Sequence, residues 1–185
     1  MKRPSVWSAW GRAAMVALAL AAGACGPATE TPTASIAPGE WREFEGSWNA
    51  AGSRHSIPLG EDRRGAILDL SGTMLLRGPG RPGVGFRAEV IALVDSATGL
   101  LGRGVWTDER GDRVFSELTG EGTREKNRVT GTILGGTGQY AGATGSYEFS
   151  WHSVTEVEDG AIQGRTEGLH GRVRFGQPGE GGSKP

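Results

Sequence analysis

Hydrophobic and polar side chains alternate along most of residues 41–175. Between Phe86 and Val94 one set of alternate positions is apolar throughout, while Arg87 and Glu89 lie on the opposite face. This is the period of a β-strand, in which successive side chains point to opposite faces. Beyond the N-terminal apolar run, glycines interrupt every stretch that has apolar residues at helical spacing. The pattern therefore predicts an all-β domain.

Several segments carry this alternation, and short links rich in glycine, proline, asparagine or aspartate separate them. These residue types supply the backbone angles of tight turns. Eight or nine strands with such links predict an antiparallel up-and-down sheet, which we expect to close into a barrel because closure removes both exposed edges. A β-sandwich is the alternative. The predicted strands are 41–50, 53–59, 65–77, 84–95, 101–108, 112–122, 128–135, 145–157 and 161–175.

The segment GGTGQYAGATG, residues 135–145, matches in part the spacing of a dinucleotide-binding fingerprint. That fingerprint places phosphate at the start of a helix, whereas GSYEFSW alternates as a strand does, and no Lys-Ser or Lys-Thr pair closes the loop. We therefore expect an architectural role, with positive φ or close backbone approach at the glycines and Tyr140 plugging one end of the core. The architectural glycines are Gly135, Gly136, Gly138, Gly142 and Gly145.

The same segment resembles the Gly-Gly-Thr/Ser-Gly-x-Phe/Tyr-x-Gly-x-x-Gly motif of the allene oxide cyclase and dirigent-type barrels. Upstream, VWTDERGDRVFSELTGEG and VTGTILGGTG are similar to the paired strands before that motif in allene oxide cyclases, so the resemblance covers about residues 105–150. It implies an eight-stranded antiparallel barrel with a hydrophobic cavity. In that family the motif is architectural and catalysis uses other strands, so the resemblance identifies no catalytic residue in this chain.

The N-terminal residues 1–24 have the pattern of an export signal, with a basic start and a short apolar run that ends in small residues. AAGAC resembles a bacterial lipobox, which implies that Cys25, the only cysteine, is lipidated. An ordinary secretory signal is the alternative. Residues 25–40 are expected to be a flexible tether, 41–175 the barrel domain, and 176–185 a disordered tail. We therefore expect an exported protein, lipid-anchored to a bacterial membrane in the periplasm or at the cell surface.

The net charge of −1 gives no electrostatic reason to expect nucleic-acid binding. The histidines stand in none of the spacings typical of metal sites, and we expect neither a metal nor another cofactor. No Gly-x-Ser-x-Gly elbow occurs, which argues against a serine hydrolase. The histidines expected at strand surfaces are His55, His152 and His170.

The densest polar cluster, GRGVWTDERGDRVFSE, is expected to form a solvated hairpin tip with ordinary ion pairs. Alternatively, Asp108 or Glu117 points into the barrel beside Trp106, where burial would raise the carboxyl pKa. Aromatic residues on several strands form either the core or the lining of a pocket, because eight-stranded barrels can hold one small ligand. The candidate ligand-binding residues are Trp48, Trp106, Phe115, Tyr147, Trp151, Asp108 and Glu117.

Three functions fit these features. The first, without catalysis, is binding of a small apolar molecule or service as an interaction module; the second is an isomerase or cyclase acting on an apolar substrate inside the barrel. The third is an accessory subunit of a membrane protein complex. A cavity with an inward carboxylate–arginine pair would favour the enzyme, and a large uncharged cavity would favour the carrier. A filled barrel with an apolar outer patch would favour the subunit.

Overall fold

The computed structural model describes residues 39–121, 128–156 and 160–176. Within these ranges, eight strands and one short 3₁₀ turn at Gly138–Tyr140 account for the regular structure. The strands are β1 (Arg42–Pro58), β2 (Arg64–Arg77), β3 (Gly85–Asp95), β4 (Gly99–Thr107), β5 (Arg113–Gly120), β6 (Arg128–Gly136), β7 (Thr144–Glu156) and β8 (Gly160–Arg174).

The eight strands form a closed barrel in chain order, and each strand pairs antiparallel with its two neighbours. Pairing of β8 with β1 closes the sheet and leaves no free edge. The prediction of an all-β, antiparallel up-and-down barrel is confirmed, and the sandwich alternative is wrong.

The prediction of separate strands over 41–50 and 53–59 is wrong, because β1 runs without interruption through both. Its pairing with β2 keeps one register from Glu45 to Pro58, while its pairing with β8 shifts between Gly46 and Asn49. Gly52, in the sequence AAGS, has the pattern of a turn signal, but in the structure it lets β1 and β2 approach each other closely. A β-carbon at Gly52 would collide with the carbonyl oxygen of the opposing strand.

Inward-facing positions alternate with outward-facing positions along the strands, as the hydrophobic pattern predicts. On β3, for example, Phe86, Ala88, Val90 and Ala92 are buried and the residues between them are exposed. The inward side chains of all eight strands form one continuous hydrophobic core inside the barrel. The interior is therefore the core of the domain.

One end of the barrel, which we call the sealed end, is closed by the glycine-rich segment. Gly138 opens the 3₁₀ turn with φ of +51°, and a β-carbon there would collide with the carboxylate of Asp112. The turn directs Tyr140 into the end of the core, where the side chain is 1% exposed and its ring centroid lies 5.8 Å from that of Phe86. The segment thus bends the chain and supplies the plug.

The opposite end, which we call the far end, carries the turns at 59–63 and 96–98. Toward this end the interior side chains Leu68, Leu100 and Trp151 are only partly buried and pack against the core, whereas Ala66, Val129 and Ile162 are buried. Among the described residues, the interior is therefore less completely buried toward the far end than at the sealed end.

The predicted signal peptide, Cys25, the tether up to residue 38 and the tail from residue 177 lie outside the described residues. Within the ranges that the structure does describe, no helix is long and apolar enough to cross a membrane.

Candidate functional site

Aromatic side chains occupy the middle of the barrel and contact one another. The ring centroid of Trp106 lies 4.8 Å from that of Tyr147, 5.9 Å from Phe86 and 6.4 Å from Phe44. Trp106 is 1% exposed. Ring separations of this size are those of packed aromatic pairs. Two of the aromatic residues predicted as a possible pocket lining, Trp106 and Tyr147, therefore pack in a core with Phe44 and Phe86.

The hydroxyl of Tyr147 is the main polar atom of this core. It lies 2.8 Å from Oγ of Ser116, and the indole N–H of Trp106 also hydrogen-bonds to it. Burial raises the pKa of Tyr147 to about 12, although both hydrogen bonds favour the phenolate. The tyrosine therefore stays neutral at physiological pH, and its hydroxyl serves to satisfy buried polar groups.

A second buried indole lacks such a partner. Trp48 is 3% exposed, and among the described residues its Nε1 atom has no hydrogen-bond acceptor. Its ring lies 5.4 Å from that of Trp151 and 6.4 Å from that of Phe149, on the far side of the core. A buried N–H without an acceptor costs about 1–3 kcal/mol. Here the interior offers one unused hydrogen-bond donor.

The seven candidate residues lie in three places: the interior, the sealed end and the outer wall. Trp48, Trp106 and Tyr147 lie inside the barrel, and Trp151 is half-buried toward the far end. Asp108, which follows β4, lies at the sealed end.

Phe115 and Glu117 do not line the interior, contrary to the expectation for these two residues. Phe115 is 36% exposed, and Glu117 forms an ion pair of 2.9 Å with Arg103 on the outer wall. The inward positions of β5 belong to Val114, Ser116 and Leu118. Because Phe115 and Glu117 alternate with these inward positions, both side chains point away from the interior.

Asp108 holds the sealed end together. Its Oδ1 accepts the backbone N–H groups of Arg110 and Asp112, each at 2.9 Å. Its Oδ2 accepts Nε2 of Gln139 at 2.7 Å and the hydroxyl of Tyr140 at 3.1 Å. Burial opposes ionisation of this carboxyl, but the four hydrogen bonds outweigh it and lower the pKa of Asp108. The carboxylate is engaged in structure and has little capacity left to act as a base.

A groove of about 1050 Å³ lies on the outer wall near the start of β1, beside β6, β7 and β8. Trp41 lines it, with the guanidinium groups of Arg172 and Arg174 at 4.8 Å and 5.0 Å from its ring. Nε2 of His170 lies 3.2 Å from a carboxylate oxygen of Glu148 on the same wall. The two arginines stack on Trp41, and His170 contacts Glu148 on the neighbouring strand, so both basic and acidic side chains line this solvated groove.

The wall formed by β2, β3 and β4 carries a cluster of exposed apolar side chains beside its charged ones. Ile67, Ile91, Leu93 and Leu101 are 56–62% exposed. Ile67 pairs with Leu93, and Leu93 pairs with Leu101, so these three form one row across three strands. Ile91 lies on the same face of β3, two positions from Leu93. We call these four residues the outer patch.

Sequence reasoning missed the outer patch. The run Val90–Val94 is apolar at every position, which is the signal for a strand with apolar residues on both faces. Only the pairing of three strands brings Ile67 and Leu101 beside it.

Across residues 39–121, 128–156 and 160–176, no three His, Cys, Asp or Glu side chains are grouped so that they could hold one metal ion.

Comparisons with known proteins bear on the fold alone. No family model matches the chain, and no curated protein matches it. The chain is similar to the solved structure of the pterocarpan synthase dirigent protein, with 17% sequence identity over 73% of this chain and 87% of that chain, and a TM-score of 0.45. The likeness is one of a barrel fold, and no activity or ligand is carried over from that protein. The allene oxide cyclase side of the resemblance stays a prediction.

Proposed function

We propose that this chain is a membrane-anchored interaction module that binds its partner through the outer patch. The observation that carries the proposal is that the interior is filled while the outer patch is exposed. Trp106 is 1% exposed, whereas Leu93 and Leu101 are 56% and 62% exposed. In a barrel that faced only water, outward strand positions would be polar. Contiguous apolar residues on an outer wall are typical of an interaction site.

The energetics favour a covered patch. Complete burial of a large aliphatic side chain stabilises by about 1.5–3 kcal/mol relative to full exposure. The four patch residues are more than half exposed, so a partner that covers them gains on the order of 1 kcal/mol from each. That gain is available without any rearrangement of the barrel.

The interior groups give little support to the enzyme hypothesis. Tyr147 is neutral with a pKa of about 12, and the carboxylate of Asp108 already accepts four hydrogen bonds. The arginine–glutamate pair nearest to Trp106 along β4 and β5, Arg103–Glu117, lies on the outer wall in solvent. An inward carboxylate–arginine pair, which would favour the enzyme hypothesis, is not among the described residues.

The membrane part of the proposal depends on Cys25 and the lipobox-like AAGAC before it. Stable anchoring takes two hydrophobic signals, and diacylglyceryl transfer to a cysteine provides two acyl chains. We expect Cys25→Ser to move the protein from the membrane fraction to the soluble fraction. Mass spectrometry of the native protein checks the same point, because an unmodified N-terminus elsewhere would contradict lipidation.

The patch is tested with a matched pair of variants, Leu93→Glu and Leu134→Glu. Both leucines are 56% exposed on strands, but Leu134 lies on β6, away from the patch. We expect Leu93→Glu to reduce the size of the complex extracted from membranes in mild detergent, and Leu134→Glu to leave it unchanged. Equal behaviour of the two variants, or a monomeric wild-type protein, would contradict an interaction module that uses this wall. Equal thermal stability of the variants excludes an unfolding effect.

A second candidate function has one specific observation in its favour, the unpaired Nε1 of Trp48 beside the half-buried Trp151. An apolar molecule with one hydrogen-bond acceptor would satisfy that N–H if it entered from the far end and displaced Trp151. The test is to extract the purified protein with organic solvent and titrate the stripped protein with fatty acids, isoprenoids and quinones while following tryptophan fluorescence. A carrier predicts co-purified lipid and a saturable change that Trp48→Phe weakens; no lipid and no change exclude it.

A further inference from the structure

We propose that the partner of the outer patch is a second copy of this chain, related to the first by a two-fold axis along β3. The proposal rests on the proposed function, because it names the occupant of the same patch. Its basis is the arrangement of two rows of outward side chains across β2, β3 and β4. One row is Ile67–Leu93–Leu101, and the next is Asp69–Ile91–Arg103.

These rows are self-complementary under that symmetry. A two-fold axis that lies in the contact plane along β3 exchanges β2 of one copy with β4 of the other. Leu93 then meets Leu93, and Ile91 meets Ile91. Ile67 of each copy meets Leu101 of the other, so that the apolar row is covered along its whole length.

The second row supplies opposite charges at matching positions. The same axis places Asp69 of each copy opposite Arg103 of the other, which gives two equivalent ion pairs beside the apolar contact. Among the described residues, Asp69 has no ion-pair partner within its own chain. Arg103 contacts Glu117 at 2.9 Å, and a guanidinium has five N–H donors, so it can bind a second carboxylate.

The surroundings of the patch are consistent with a polar rim. Arg87 and Glu89 continue the outward face of β3, where the axis brings Glu89 opposite Glu89 and Arg87 opposite Arg87. The ion pair of 2.8 Å between Arg87 and Glu89 within each copy offsets the like charges that meet there. An apolar centre bordered by polar groups is the usual anatomy of a protein interface. Because a lipid anchor would confine both copies to one surface, an intrinsic affinity in the micromolar range would suffice for association.

The decisive experiment uses two charge-reversed full-length chains, Asp69→Lys and Arg103→Glu, in detergent. Each variant alone places like charges opposite each other, and we expect self-association to weaken by about tenfold or more. A mixture of the two restores opposite charges at both positions. The new lysine of one chain would face the new glutamate of the other, and the unchanged Arg103 would face the unchanged Asp69. We therefore expect mixed dimers of wild-type affinity, measured by analytical ultracentrifugation with one chain labelled.

A cross-link checks the symmetry axis independently. Leu93→Cys places a thiol on the proposed axis, opposite the same thiol of the second copy, and mild oxidation of the full chain should yield a disulfide-linked dimer. Leu134→Cys is the control, since Leu134 has the same exposed fraction of 56% on another wall. Any disulfide that forms through Cys25 would appear in the Leu134→Cys variant as well. We expect dimer from the first variant in at least several-fold excess.

The outcomes separate this inference from the function on which it rests. Mixed dimers together with the Leu93→Cys cross-link support the second copy. Any of three outcomes excludes the second copy as the partner: restored association without that cross-link, equal cross-linking by both cysteine variants, or failure of the mixture to associate. Cross-linking of Leu93→Cys to a different protein in membranes overturns the second copy but leaves the interaction module standing. Loss of any complex in both experiments overturns both.

Discussion

In the sealed half of the barrel, Tyr140 and Trp106 are each 1% exposed, and their polar atoms have partners. Farther from the sealed end than these two residues, Trp151 is half-buried and the buried Nε1 of Trp48 has no acceptor among the described residues. The two halves share the same eight strands and the same alternation of side chains. Among the described residues, a dedicated segment closes the sealed end and none closes the far end.

The two halves therefore differ in how much they contribute to stability and in how easily they can rearrange. The sealed half combines packed rings with a carboxylate that accepts four hydrogen bonds, so a change there breaks several interactions at once. The far half has fewer constraints, because three of its interior side chains, Leu68, Leu100 and Trp151, are only partly buried. We therefore expect the sealed half to dominate the free energy of unfolding and any ligand to enter from the far half.

The largest expected effect comes from Gly138→Val at the sealed end. The backbone φ of +51° is unfavourable for a β-branched residue, and the new β-carbon would collide with the carboxylate of Asp112. We expect the free energy of unfolding to fall by about 3 kcal/mol. Chemical denaturation of the purified protein without any ligand measures it.

Gly85→Ala is the control for this substitution. Gly85 lies on β3, and a β-carbon there would make an ordinary contact of 3.6 Å with Cδ2 of Leu75. We expect a change of less than about 1 kcal/mol. If Gly138→Val were as mild as the control, or if it abolished nucleotide binding at unchanged stability, an architectural role for the glycine-rich segment would be wrong.

The sequence was sufficient to predict the barrel, but not to predict where every strand ends or which residues of each strand face inward. Alternation with short turns predicts antiparallel strands, and the glycine-rich segment with Tyr140 predicts one plugged end. The error at Gly52 arose because a glycine needed for close strand approach looks the same as a glycine needed for a turn. The error at Phe115 arose because its neighbour Val114 is also apolar, so the local pattern does not say which of the two faces inward.

The site was less predictable, because it depends on contacts between distant residues. The outer patch exists only when Ile67, Leu93 and Leu101 pair across three strands. The bond between Asp108 and Gln139 joins residues that are 31 positions apart. Composition and spacing do not encode such contacts; the closed register of the barrel creates them.

The second prediction compares the two buried tryptophans. Trp106→Phe removes an indole N–H that hydrogen-bonds to Tyr147, whereas Trp48→Phe removes one that has no partner among the described residues. Both changes remove similar volume from the core. We expect Trp106→Phe to cost about 2 kcal/mol and Trp48→Phe at least about 1 kcal/mol less. Urea denaturation of both variants measures the difference, and equal costs would mean that the N–H of Trp48 has an acceptor in solution.

The smallest expected effect is the acid sensitivity contributed by Asp108. Its pKa is lowered in the folded state, so the stability it contributes is complete above the unfolded pKa of about 3.9 and is lost as pH falls through the folded pKa. We expect Asp108→Asn to lower the melting temperature by about 3 °C at pH 7, and the difference from wild type to shrink as the pH falls below about 4. Asp95→Asn is the control from the far end. A hydrogen bond from Arg63 lowers the pKa of Asp95, and removal of this carboxyl should leave the contribution of Asp108 intact. If the melting curves of wild type and Asp108→Asn stayed parallel from pH 7 to about pH 2.5, the carboxylate would not be what stabilises the sealed end.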